Sequence, residues 1–107
     1  LRMAEKVLEE YPDADGILAC NDMVAIATYK ILLSKGLRVP EDIQLMGFDN
    51  IRFSRLFTPE FSTIIQPIRE MGTLAVEVIA KHTNGEPIKK ENLFDVSLVE
   101  RQTTKHK

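Results

Sequence analysis

The sequence predicts an α/β fold built on a parallel sheet. Two short apolar segments, residues 16–20 and 43–46, enclose a long apolar helical pattern. A strand, a helix and a second strand within about 30 residues make a βαβ unit, whose strands run parallel. A glycine and then Asp49-Asn50 follow the second strand, and in open α/β sheets ligands sit at the carboxyl ends of strands.

Each element has a local reason. Residues 1–10 carry apolar side chains at 1, 4, 7 and 8, continued by Tyr11, a helical stripe, and Pro12 ends it. Residues 13–16 form a turn, and 16–20 a short buried strand that includes the lone Cys20 as a buried thiol. Asn21 is a good N-cap for a helix running to Ser34 or Lys35, where Gly36 stops it. Residues 39–42 lead into the second strand. The β-branched stretch 61–65 is a third. Gln66-Pro67 opens the last helix, with Pro in its first turn. Ile68, Met71, Leu74, Ala75, Val78, Ile79 and His82 form its stripe, and Asn84-Gly85 ends it. Phe94, Val96 and Leu98 alternate with polar residues as a half-exposed strand, and 102–107 reads as a polar, frayed tail.

Composition narrows the function. The 107 residues suit one small domain, and a formal charge of −2 argues against a nucleic-acid grip by these residues alone. No apolar run approaches the roughly 20 residues of a membrane span. One cysteine and two scattered histidines make no zinc site, and neither a Walker-type loop nor a Gly-x-Gly-x-x-Gly run is present. No metal, cofactor or catalytic set is expected. The start within a helix, without an initiator Met, suggests a piece of something longer. The middle helix is apolar around most of its circumference, which asks for a second packing partner or a deeply buried position.

Several stretches stand in a telling order: Ala19-Cys-Asn-Asp-Met23, Gly36-Leu-Arg-Val-Pro-Glu-Asp-Ile43, Gly47-Phe-Asp-Asn50, Phe57-Thr-Pro59, Ser62-Thr-Ile-Ile-Gln-Pro67 and Leu98-Val-Glu-Arg101. The series resembles the C-terminal part of the LacI/GalR family of bacterial transcription regulators, nearest to the branch containing the purine repressor. The resemblance runs over residues 14–104. It implies part of a periplasmic-binding-protein type I fold, a doubly wound parallel sheet in two lobes. Residues 1–65 would belong to the C-terminal lobe, 66–92 to the hinge and a helix of the N-terminal lobe, and 93–107 to a returning strand and tail.

The resemblance also implies a function. A small-molecule effector, sugar or purine, binds between the lobes of a cytoplasmic homodimer. Operator DNA is met only through an N-terminal helix-turn-helix that these residues lack. A sugar-binding protein of an ABC transporter, which shares the fold, is the alternative. Asp49 matches a family position that binds effector, although the same residue in isolation reads as a turn cap. Asn21 is either an effector contact or the N-cap, and Gln66 either lines the pocket or starts a helix. Asp22 is read as a charge favoured at a helix N-terminus. Residues 53–59 and the middle helix fall at the family's dimer interface, which singles out Val24, Ala27, Ile31, Phe53, Leu56 and Phe57.

Overall fold

The structure is a computed structural model and describes residues 2–106. It divides into two compact units, residues 1–65 with 98–107, and residues 66–97.

In the first unit, α1 (Arg2–Glu10) is closed by a bond from Tyr11 N–H to the Val7 carbonyl at 2.9 Å, just before Pro12. Strand β1 (Gly16–Leu18) follows a short turn, and α2 covers Asp22–Ser34. Asn21 caps α2, its Oδ1 accepting from Val24 N–H at 2.8 Å. The other end closes as a Schellman motif. Leu37 N–H reaches the Leu32 carbonyl and Gly36 N–H the Leu33 carbonyl, both at 3.0 Å, with Gly36 at φ +74° where a side chain would be strained. Strand β2 (Gln44–Met46) pairs parallel with β1 in the register Gly16–Gln44, Ile17–Leu45 and Leu18–Met46, so the βαβ unit is present. A 3-10 turn, Arg52–Arg55, precedes β3 (Thr63–Ile65). A parallel bridge between Met46 and Ser62 places the start of β3 beside β2. β3 also pairs with β4 (Ser97–Val99), whose last two residues belong to this unit.

The core lies under this sheet. Ala19, Ala25, Leu32, Val39, Ile43, Leu45 and Phe61 form one buried cluster, flanked by Leu8, Ile17, Ile26, Tyr29 and Leu37. Phe61 is its largest member, with Tyr29 edge-on at 5.4 Å and Phe57 edge-on at 5.9 Å. Burying one such ring contributes about 1.5–3 kcal/mol.

Three local expectations are corrected. Cys20 is exposed rather than buried, because β1 ends at Leu18 and the chain turns outward before α2. The strand expected over 94–98 lies at 97–99. The residues from 102 are not all a frayed tail: Thr103 is fully buried. Its carbonyl accepts from Leu45 N–H at 2.9 Å and its Oγ1 from Ser62 N–H at 2.8 Å, so it satisfies donors from both β2 and the approach to β3.

The second unit holds α3 (Ile68–Thr83), with Pro67 at its cap rather than in its first turn. Gly85, at φ +73°, terminates it. None of its residues is buried. Met71, Leu74, Ala75, Val78, Ile79, Asn92 and Phe94 line an open groove of about 390 Å³ within the unit. Among the described residues no helix is long and apolar enough to cross a membrane.

Candidate functional site

The parallel pairing of β1 and β2 brings their carboxyl ends side by side. Asn21 stands three residues past β1 and Asp49 three past β2. A backbone bond joins the two loops directly, from Asp22 N–H to the Phe48 carbonyl at 2.8 Å. Asn21 and Asp49 thus belong to one edge of one sheet, the position ligands favour in α/β folds. Gln66 opens the second unit and is half-buried.

The turn after β2 is conformationally unusual. Asp49 has φ 108° and Asn50 φ 54°, and among the described residues these are the positive-φ residues other than glycine. Asn and Asp tolerate that region best, yet such backbone is stable only when its surroundings fix it. Here three successive amides are each tied down. Asp49 N–H donates to the Ile64 carbonyl at 2.9 Å, Asn50 N–H to Thr63 Oγ1 at 3.2 Å, and Ile51 N–H to Asp22 Oδ2 at 2.8 Å.

Asp22 is the hub. It is fully buried, and its other oxygen accepts from the Thr63 hydroxyl at 2.5 Å. A buried carboxylate must be satisfied in this way, since an unpaired one is costly. Gly47 makes the room. A Cβ there would lie 2.1 Å from Asp22 Oδ1.

A second charged residue closes the turn from the other side. The Arg101 guanidinium donates to Asn50 Oδ1 at 2.6 Å, to the Phe61 carbonyl at 2.7 Å and to Ser54 Oγ at 3.1 Å. Its pKa is lowered, chiefly by burial and then by the nearby Arg55 charge, with Glu60 opposing.

Sequence reasoning singled out Asp49 and Asn21 and missed the residues that hold them. By sequence Asp22 is only a helix-terminus charge, and Thr63, Gly47 and Arg101 have no role. The glycine directly after an apolar strand was the one available signal. Asn21 also resolves differently from a choice between two jobs. Its carbonyl oxygen makes the cap, and the cap does not use its two Nδ2 donors.

The residues matched to a dimer interface are mostly on the surface. Leu56 is 73% exposed and Phe53 57%, with Val24 and Phe57 also exposed and Ala27 half-buried. Ile31 is buried within the chain. Arg52, Phe53, Arg55 and Leu56 line a shallow depression with Asn50. No cluster of three or more His, Cys, Asp or Glu suited to a metal occurs among the described residues.

Comparison with known proteins places this arrangement. Residues 1–104 match the model of the periplasmic binding protein-like domain. The chain belongs to this family. Within it, the chain corresponds to part of the core domain of LacI-type transcriptional regulators, and the doubly wound parallel fold class follows. The ribose operon repressor of Bacillus subtilis is 36% identical over 104 residues, which is 96% of this chain and 32% of that protein. The HTH-type transcriptional repressor PurR of Aliivibrio salmonicida is 40% identical over 78 residues, 73% of this chain and 23% of that protein. The crystal structure of the lac repressor dimer bound to operator and the anti-inducer ONPF aligns with TM-score 0.85 and 31% identity, over 96% of this chain and 36% of that one. The chain therefore spans a third or less of the length of the ribose operon repressors it matches, 32% in two of them and 23% in that of Haemophilus influenzae.

Proposed function

We propose that this chain is the part of a LacI-type repressor that binds a small-molecule effector and pairs two subunits. The carrying observation is the turn at Asp49. An aspartate that merely capped its own turn would accept from the N–H two residues on, that of Ile51. That donor is instead held by Asp22. The turn is held by Ile64, Thr63 and Asp22, and a carboxylate has several acceptor sites, so Asp49 can take effector hydroxyls or a ring N–H beside its other partners. The Nδ2 donors of Asn21, from the adjacent loop, supply the opposite polarity. Gln66 is assigned as the third polar contact. This set suits a sugar or a purine.

The exposed Val24, Phe53, Leu56 and Phe57, with Ala27, are assigned to a homodimer interface. Exposed aromatics with neighbouring arginines fit an interface core. Residues 1–65 are assigned to one lobe, 66–92 to the hinge and a helix of the other, and 93–107 to the return. Operator contact falls to other residues of the regulator, and the site of action is the cytoplasm. A transporter's sugar-binding protein shares the fold, but the relatives reported above are repressors, not enzymes or transport proteins, and they favour regulation.

The test is calorimetric titration of the intact regulator with D-ribose, lactose, guanine and hypoxanthine. Asp49→Asn, which keeps the backbone preference and removes the charge, is compared with wild type. A ligand that binds wild type and weakens by about 2 kcal/mol or more in the variant supports the assignment. Equal affinity with a lowered melting temperature makes Asp49 a structural residue and removes the site.

A further inference from the structure

We infer that Asp22 is the positioning residue of the effector site: it fixes the Asn21 cap loop and the Asp49 turn against each other, and so sets effector affinity without touching the effector. The inference rests on the reading of Asp49 as an effector contact, and deepens it.

The wiring is directional. Asn50 N–H donates to Thr63 Oγ1, and the Thr63 hydroxyl spends its single proton on Asp22 Oδ1. Asp22 Oδ2 takes Ile51 N–H, and Asp22 N–H goes to the Phe48 carbonyl. One buried residue thereby holds both sides of the Asp49-Asn50 pair. It is also covalently the neighbour of Asn21, whose own side chain is fixed on Val24 N–H. A shift of Asp22 must therefore move both polar contacts. The side chain has no slack, because Gly47 packs where any Cβ would meet it. Such chains of bonds in a buried site strengthen one another, and hydrogen bonds to an ionised acceptor are the strong ones.

Thr63 offers the gentlest perturbation. Thr63→Val keeps the shape and deletes the hydroxyl that both Asn50 and Asp22 use, and Thr63→Ser keeps the hydroxyl. Asp22→Asn is the direct variant. In the intact regulator, hydrogen exchange of residues 47–51 should quicken by about tenfold or more in Thr63→Val and Asp22→Asn and stay near wild type in Thr63→Ser. The titration panel of D-ribose, lactose, guanine and hypoxanthine should show the same order, with affinity falling about tenfold in Thr63→Val and recovering in Thr63→Ser. The affinity loss should shrink when Asp49→Asn is already present, leaving the part that acts through Asn21, a coupling that simple destabilisation does not produce.

Unchanged exchange at 47–51 in Thr63→Val overturns the inference whether or not a ligand binds. So does a Thr63→Val affinity loss that persists undiminished in the Asp49→Asn background. If Asp49→Asn alone leaves affinity intact, it is the effector reading that fails. If Asp49→Asn weakens binding and Thr63→Val does not, only the positioning role fails.

Discussion

Gly47→Ala tests the packing logic of the site with one methyl group. The added Cβ would lie 2.1 Å from Asp22 Oδ1 and 3.1 Å from both the Cα and the Cγ of Asp22. Ordinary contact begins near 3.4 Å, so the carboxylate must retreat by more than an ångström. It cannot rotate away without releasing Ile51 N–H or the Thr63 hydroxyl. Overpacking of this kind costs about 1–3 kcal/mol, and a lost bond to a charged group about 1.5–3 kcal/mol more. The expected destabilisation is about 3–5 kcal/mol, against a typical total near 5–15 kcal/mol. Urea unfolding of the intact regulator, followed by circular dichroism, measures it. Combining Gly47→Ala with Asp22→Ala removes the carboxylate clash and leaves only the 3.1 Å approach to the Asp22 Cα, so Gly47→Ala should cost much less in the Asp22→Ala background than in wild type. A Gly47→Ala protein within about 0.5 kcal/mol of wild type, or costs that simply add, would refute the reasoning.

Other substitutions separate roles that coincide in one residue. Asn21→Asp keeps the capping acceptor and loses the Nδ2 donors, so helix stability should hold while effector affinity falls. Asn21→Ala should cost about 1 kcal/mol of stability as well. Arg101→Lys keeps a charge but not the fork that spans Asn50, Phe61 and Ser54, and should recover only part of the several-degree drop in melting temperature expected of Arg101→Ala. Asp42 is held at a pKa of about 2, below its ordinary 3.8, chiefly by the Arg38 side chain and then by the Arg38 backbone N–H. Its folded value is depressed, so its contribution is complete above the ordinary value and is lost as pH falls toward 2. Asp42→Asn should flatten that part of an acid-unfolding curve. Leu56→Glu, at an exposed position of the proposed interface, should shift the sedimentation coefficient toward monomer without lowering effector affinity per subunit.

The elements with short-range causes were legible in the sequence. Asn21 as cap, Gly36 and Gly85 as stops and Pro12 as breaker act within a few residues of themselves, and the βαβ unit shows in the order and length of its apolar segments. The parts that escaped depend on partners far along the chain. Thr103 is polar, near the end, and by composition a tail residue, yet it satisfies donors at positions 45 and 62. Cys20 sits in an apolar run, but the run outlasts its strand. Asp22 is separated from Ile51 by 29 positions and from Thr63 by 41, so nothing local distinguishes it from a charge at a helix start.

The same separation explains why Asp49 looked ambiguous. A turn that holds itself together advertises the fact locally, through a side chain that accepts from its own backbone. This turn does not. Its φ values of 108° and 54° carry strain of about 1–3 kcal/mol at a residue outside the left-handed well, less for Asn50. Three hydrogen bonds to Ile64, Thr63 and Asp22 offset that cost from outside. A protein that needed only a reversal of direction could use glycine there and avoid the strain. Keeping Asp and Asn, at the carboxyl edge of paired parallel strands and held by a buried carboxylate and a buried guanidinium, makes sense when the side chains must point in fixed directions. Fixed direction lowers the ordering cost of binding, because the polar group is already oriented when the ligand arrives. On the proposed reading of Asp49 as an effector contact, turn geometry and ligand contact are one design: the turn is strained so that Asp49 can be aimed.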